Sequence, residues 1–171
     1  LQANAKNITE EVSRNAPIVV ANESGEHNLI AFIAYRCGAC HVGNAAISEF
    51  IRSHPKVRLV IKPLPILGDD SVLASTLLYD AQKKKSSKKV HNALMDVKRL
   101  GRADIEKIAG QYHLPFSNDI KALEKHWSIK ELKMTYLQST TLENTSTPFY
   151  LLSTGGRVEI IRGAPSASSL D

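Results

Sequence analysis

Both cysteines of the chain, Cys37 and Cys40, fall in one stretch, AYRCGACHVG at positions 34–43, with His41 directly after the second. Three chemistries share this spelling. A C-x-x-C pair can trade disulfides, C-x-x-C-H is the attachment motif for c-type haem, and two thiolates with a histidine make most of a zinc site. Two cysteines this close cannot staple distant parts of a fold. The pair therefore points to chemistry rather than architecture.

The surrounding elements decide between them. Leu29 to Tyr35 reads as a strand buried on both faces, being continuously apolar through Ile30, Phe32 and Ile33. Cys37 follows at once. From Ala39 the pattern turns helical, with Val42, Ala45, Ala46, Phe50 and Ile51 at spacings of three and four, and His54-Pro55 stops it. Val57 to Ile61 is a second strand. Strand, helix and strand this close together form a βαβ unit, with parallel strands and a right-handed crossover.

Haem c domains are small and mostly helical, and a helix laid on a sheet leaves little room for a porphyrin, although Met95 or Met134 could supply a second axial ligand. Structural zinc needs four ligands. There is no second C-x-x-C, and His54, His91, His113 and His126 fall on separate expected elements, each reading as a surface or partly buried histidine. The two thiolates alone could still hold a soft metal. The dithiol reading uses the setting best. Cys37 would sit exposed at a helix N-terminus, where free N–H groups and the positive dipole end favour a thiolate. Cys40, one turn on and buried, would resolve the mixed disulfide.

The rest of the chain supplies the frame. Residues 4–15 read as a helix with Asn7 and Glu10 spaced like a capping box, and PIVVAN as a short strand after it. After the loop KPLPILGDD, helical spacing recurs over 70–84, 88–98, 102–112, 117–126 and 128–142. The β pattern returns at Phe149 to Leu152 and Val158 to Ile161 around Gly155-Gly156, a hairpin. A last helix is expected from about Ser166. With 171 residues, 43% of them apolar, the chain suits one globular domain with a sizeable core and room for an insertion. No apolar run approaches the roughly 20 residues of a membrane span. The net charge of +5 owes much to Lys83, Lys84, Lys85, Lys88 and Lys89. Lysines there suit a helix C-terminus, and no interleaved aromatics suggest nucleic acid. The chain begins at Leu1 rather than Met, so a processed or trimmed form is expected, with any signal peptide removed.

FIAYRCGACHV, then KPLPILGDDSVLAS, a helical block, TSTPFYLL and IIRGAPS together resemble the DsbA-like thiol–disulfide oxidoreductases, nearest their Com1-like branch. The resemblance covers roughly residues 28–170. It implies an α/β thioredoxin-like fold with a helical insertion domain. Residues 1–28 would be an N-terminal helix and lead-in, 29–65 and 144–171 the thioredoxin-like domain, and 66–143 the insertion. It implies Cys37 and Cys40 as catalytic residues, a cis peptide bond before Pro148, and Thr147 and Pro148 as the place where an extended substrate binds as an added strand. No cofactor is implied beyond a Cys37–Cys40 disulfide.

The sequence departs from that pattern in places. Strongly oxidising members carry Pro-His between the cysteines, where this chain has Gly38 and Ala39; His41 would tune the thiolate from the next position. The buried acid under the motif of many relatives is missing from LIAFIAY, and Glu26 lies too early to replace it. Ser146 stands where glycine is common, and the C-terminal helix looks cut short at Asp171. Residues 1–28 are too few for the dimerisation domain of the isomerases, so a monomer is expected. The resemblance thus implies a periplasmic or otherwise exported enzyme that donates its disulfide to reduced or misoxidised exported proteins, with a quinone-linked membrane partner to reoxidise it. Isomerase or reductase action with a different membrane partner, and a non-catalytic binding module, are the alternatives.

Overall fold

In a computed structural model, which describes residues 1–166 and Leu170, five strands form one sheet in the order β1-β3-β2-β4-β5. The strands are β1 (Ile18–Ala21), β2 (His27–Ile33), β3 (Val57–Pro63), β4 (Phe149–Thr154) and β5 (Arg157–Arg162). Helix α2 (Gly38–Ser53) crosses over between β2 and β3, which pair in parallel, Leu29 opposite Leu59 and Ile30 opposite Val60. β1, β4 and β5 run antiparallel to their neighbours.

Side chains alternate along each strand, so the sheet has two inner faces. Ile30, Phe32, Val60, Phe149 and Leu151 face α1 (Gln2–Arg14), through Ala5, Ile8 and Val12. Leu29, Ala31, Ile33, Leu59, Ile61 and Tyr150 face the other way, towards α2 and the helices between β3 and β4. This double burial is why β2 reads as an unbroken apolar run. Those helices are α3 (Asp69–Lys83), α4 (Ser87–Asp96), α5 (Arg102–Gln111), α6 (Ile120–Glu124) and α7 (Ile129–Thr141). Among the described residues, no helix is long and apolar enough to cross a membrane.

Several boundaries differ from the sequence reading. The strand expected to reach Tyr35 ends at Ile33, because the Cys37 N–H donates to the Ala34 carbonyl and turns the chain out of the ladder. The helix expected over 117–126 shortens to α6, because the Asp119 carboxylate caps the Lys121 N–H and fixes the start. Within the lead-in over 1–28, β1 is an edge strand of the sheet, and α1 closes one face. The lysine run straddles two helices: Lys83 and Lys84 end α3, whereas Lys88 and Lys89 lie in the first turn of α4 rather than at a C-terminus. Lys83 closes α3 with its ammonium 3.8 Å from the Trp127 ring centroid, and Lys84 bonds the His113 carbonyl. The helix expected from Ser166 lies largely outside the described residues.

Candidate active site

The parallel pair β2–β3 directs its C-terminal ends to one edge of the molecule, and the motif hangs from that edge. Cys37 is the N-cap of α2, in extended conformation. Its Sγ takes the part usually played by a serine or aspartate oxygen, accepting the Cys40 N–H at 3.1 Å. The Cys37 carbonyl accepts the Cys40 and His41 N–H groups. In the thiol form the Cys37 S–H donates to the Thr147 carbonyl, with sulfur and oxygen 3.6 Å apart. The Thr147–Pro148 peptide bond is cis, and Pro148 is buried at the start of β4. The structure thus brings Cys37, Cys40, Thr147 and Pro148 together across a sequence separation of more than 100 residues.

Cys37 is more covered than the exposed nucleophile expected from sequence. It is 6% exposed and Cys40 is 1% exposed. Both cysteines are free. The hydrogen bond from the Cys40 thiol is the main influence that lowers the Cys37 pKa, to about 6, against the opposing effect of burial. Thr147 and the backbone N–H groups of Cys40 and Ala39 add to the lowering. Cys40 is driven the opposite way. Its bond to Cys37 and its burial push the thiol well above the ordinary range. One sulfur is built to be an anion near neutral pH and the other to keep its proton.

Gly38 and Ala39 are exposed, and nothing lies within 4 Å of where a Gly38 Cβ would stand. Gly43, further along α2, is different. A Cβ there would come within 3.0 Å of the Pro165 ring and 3.3 Å of the Tyr150 hydroxyl, so the close approach of helix to β4 depends on it. His41 does not turn towards sulfur. Its Nε2 lies 2.7 Å from the Tyr35 carbonyl and its Nδ1 2.9 Å from the Met95 carbonyl.

Behind Cys40 lies a small cavity lined by Asn44, His91, Met95, Tyr150 and sheet side chains. His91, read from sequence as a surface or partly buried histidine, is 3% exposed. Its Nδ1 is 2.8 Å from the Tyr35 hydroxyl. Burial, with the charge of His41 adding to it, pushes the His91 pKa down to about 4. Burial pushes Tyr35 and Tyr150 up. This space thus holds neutral polar groups rather than an acid. Glu26 sits at the opposite end of β2, paired with Lys56 at 3.8 Å. No local signal marked Tyr35 and His91 as partners, since 56 residues separate them. On the rim, Asp70 at the start of α3 binds Arg102 at 2.8 Å and Arg36, the residue before Cys37, at 3.5 Å. Val42 projects from α2 beside the motif, 76% exposed. Among the described residues, no group of three or more His, Cys, Asp or Glu side chains is placed to hold a metal ion.

No family model matches the chain, and no curated protein does. Solved structures do. A periplasmic thioredoxin-like protein from Salmonella enterica serovar Typhimurium superposes with a TM-score of 0.79 at 21% identity, over 96% of this chain and 92% of its own. The thiol-disulfide exchange protein alpha-DsbA2 from Wolbachia pipientis gives 0.79 at 19% identity, over 99% and 91%. The catalytic domain of Proteus mirabilis ScsC gives 0.78 at 24% identity, over 98% and 93%. The chain has the α/β thioredoxin-like fold that these proteins share.

Proposed function

We propose that this chain is a thiol–disulfide oxidoreductase, and that it introduces disulfides into exported proteins. The observation that carries the reading is the opposed pair: Cys37, a helix-capping sulfur whose pKa is lowered, and Cys40, buried one turn behind with its pKa raised. The likeness in fold to a thiol-disulfide exchange protein supports it.

In the oxidised enzyme a substrate thiolate attacks Cys37 Sγ. The Cys37–Cys40 bond breaks, and its electron pair goes to the Cys40 sulfur, which takes a proton. A second substrate thiolate then attacks the substrate sulfur of the mixed disulfide and releases Cys37 as a thiolate. The substrate loses two electrons and two protons, and the dithiol pair gains the electrons. A leaving thiol of low pKa leaves faster, and a stabilised thiolate favours the reduced enzyme, so both rate and equilibrium push towards donation. The pKa near 6 lies between the roughly 3.5 of a strong oxidant and the roughly 7 of thioredoxin.

An unfolded exported chain, laid along Thr147 as an added strand, would present its cysteine to Cys37. The periplasm, named for one of the similar structures, is the compartment that suits this direction of flow. A quinone-linked membrane partner would restore the disulfide, and the pair itself is the redox group.

The test is the equilibrium reduction potential of the Cys37–Cys40 pair against glutathione. A value towards about −120 mV supports donation, whereas one near about −270 mV makes the protein a reductase or an isomerase kept reduced. A Cys40→Ala variant separately tests whether exchange occurs at all. It should accumulate mixed disulfides with reduced exported proteins, and a clean failure to do so would leave a non-catalytic binding module.

A further inference from the structure

His41 faces two acceptors at once. Nε2 is 2.7 Å from the carbonyl oxygen of Tyr35, and Nδ1 is 2.9 Å from the carbonyl oxygen of Met95. A neutral imidazole has one N–H and one bare nitrogen lone pair, so either tautomer would press a lone pair against a carbonyl oxygen. Only the doubly protonated ring donates to both. The second contact falls on a helix end. Met95 is the penultimate residue of α4, and the last four carbonyls of a helix have no partner within it. The last turn of α4 carries no basic residue of its own. A cation donated from another helix meets the negative end of the α4 dipole there.

The first contact falls on the turn that carries the nucleophile. Tyr35 lies past the end of the β2 ladder, between Ala34, whose carbonyl holds the Cys37 N–H, and Arg36. We infer that His41 is a positioning residue, an imidazolium whose two N–H groups tie the turn carrying Cys37 to the C-terminal end of α4. One side chain thereby joins α2 to α4, the second helix of the insertion.

His91, buried on the same α4, lies four residues before Met95. Other titratable groups around the ring are Cys37 and Cys40 on its own helix, Tyr35 before it, and exposed Asp96 next to Met95. A ring with a single proton can keep only one of the two links. The bearing of the link on exchange rests on the oxidoreductase reading, while the link itself does not.

The experiment is long-range proton–nitrogen NMR of the histidine rings in the reduced full chain at neutral pH, which needs no activity. Both His41 nitrogens are expected to carry protons, with His91 as the neutral internal control. A single-proton tautomer at His41 would overturn the inference. The second measurement is the Cys37 thiolate midpoint, followed by thiolate absorbance, in His41→Gln and His41→Lys, with folding checked by circular dichroism. Lysine keeps a positive charge but cannot span both carbonyls. Upward shifts of similar size in the two variants support positioning. A midpoint that lysine restores would overturn it, because the effect would then be charge alone. If the midpoints shift together but no exchange occurs in the native protein, the oxidoreductase reading fails and the clamp stands.

Discussion

Around Cys37 the chain offers hydrogen-bond donors, and around Cys40 it offers side-chain walls. The Cys37 sulfur meets a helix N-terminus, the Thr147 side chain and the Cys40 thiol. Cys40 meets a small space walled by Ile33, Ile47, Tyr150, Asn44 and His91. The first setting supplies dipoles that stabilise charge; the second withholds solvent and penalises it. Two chemically identical groups one turn apart are thereby given different protonation states. The largest effects therefore belong to the cysteines themselves. Cys37→Ser should abolish exchange, lowering kcat/KM by at least the several orders expected when a nucleophile is removed. Cys40→Ser should keep Cys37 alkylation while stopping turnover. Equal alkylation of both single-cysteine variants at pH 7 would break the comparison.

The pH dependence sharpens it. Alkylation of Cys37 should rise with pH around a midpoint of about 6 and then level off, because only the thiolate reacts. Cys40 should stay unreactive over the same range. Stability of the reduced form follows the same groups. The Cys37 pKa is depressed on folding from 9.0 to about 6, so its contribution is full above pH 9 and lost as pH falls through 6. Thermal unfolding of wild type minus Cys37→Ser should show that rise between pH 6 and 9, and a flat difference would remove the thiolate from the account. Thr147→Val tests one lowering influence. It should move the alkylation midpoint upward while leaving the fold intact.

How far these two surroundings could be read from sequence differs in the same way. The Cys37 side was largely legible. A C-x-x-C after an apolar strand and before a helix places a sulfur at a helix N-terminus by local geometry, and the unbroken apolar run of β2 announces a central strand buried on both faces. Thr147 came only through family likeness, since nothing local links residues 110 positions apart. The Cys40 side was not legible. Tyr35 reads as the last residue of a strand and His91 as a polar residue on a lysine-flanked helix. Their bond exists because α4 packs against the sheet and α2, a tertiary fact without periodic signature. His41 was visible as a residue but not in its role, because its two acceptors are backbone carbonyls, which no sequence motif encodes.

The Tyr35–His91 pair gives a smaller, conformational effect. Removing one partner of a buried hydrogen bond leaves the other unsatisfied, at a cost of about 1–3 kcal/mol. Tyr35→Phe should therefore destabilise the protein by that amount in chemical denaturation, with the Cys37 midpoint little changed. His91 also makes a signed prediction. Its pKa is depressed on folding from 6.5 to about 4, so between those values the unfolded chain binds more protons, and stability should fall as pH drops from 6.5 towards 4. His91→Asn should remove that component. A slope unchanged in the variant would mean that the histidine is not held neutral behind Cys40.

The smallest effect belongs to the rim. Asp70 binds Arg36 and Arg102, so one carboxylate ties the residue before Cys37 to the first turn of α3 and to α5. Both arginines are partly solvent-exposed, and exposed ion pairs contribute only about 0–1 kcal/mol. Asp70→Asn keeps the shape and removes the charge. It should lower stability by no more than that, and less in high salt, which screens such pairs. It also frees Arg36, whose charge Asp70 offsets beside the approach to sulfur. The variant should therefore favour acidic over basic peptide thiols more than wild type does, an effect on KM that vanishes at high ionic strength. A change in the Cys37 midpoint instead would mean that the rim reaches the sulfur, and that the Cys40 thiol, Thr147 and the helix N-terminus do not set its charge alone.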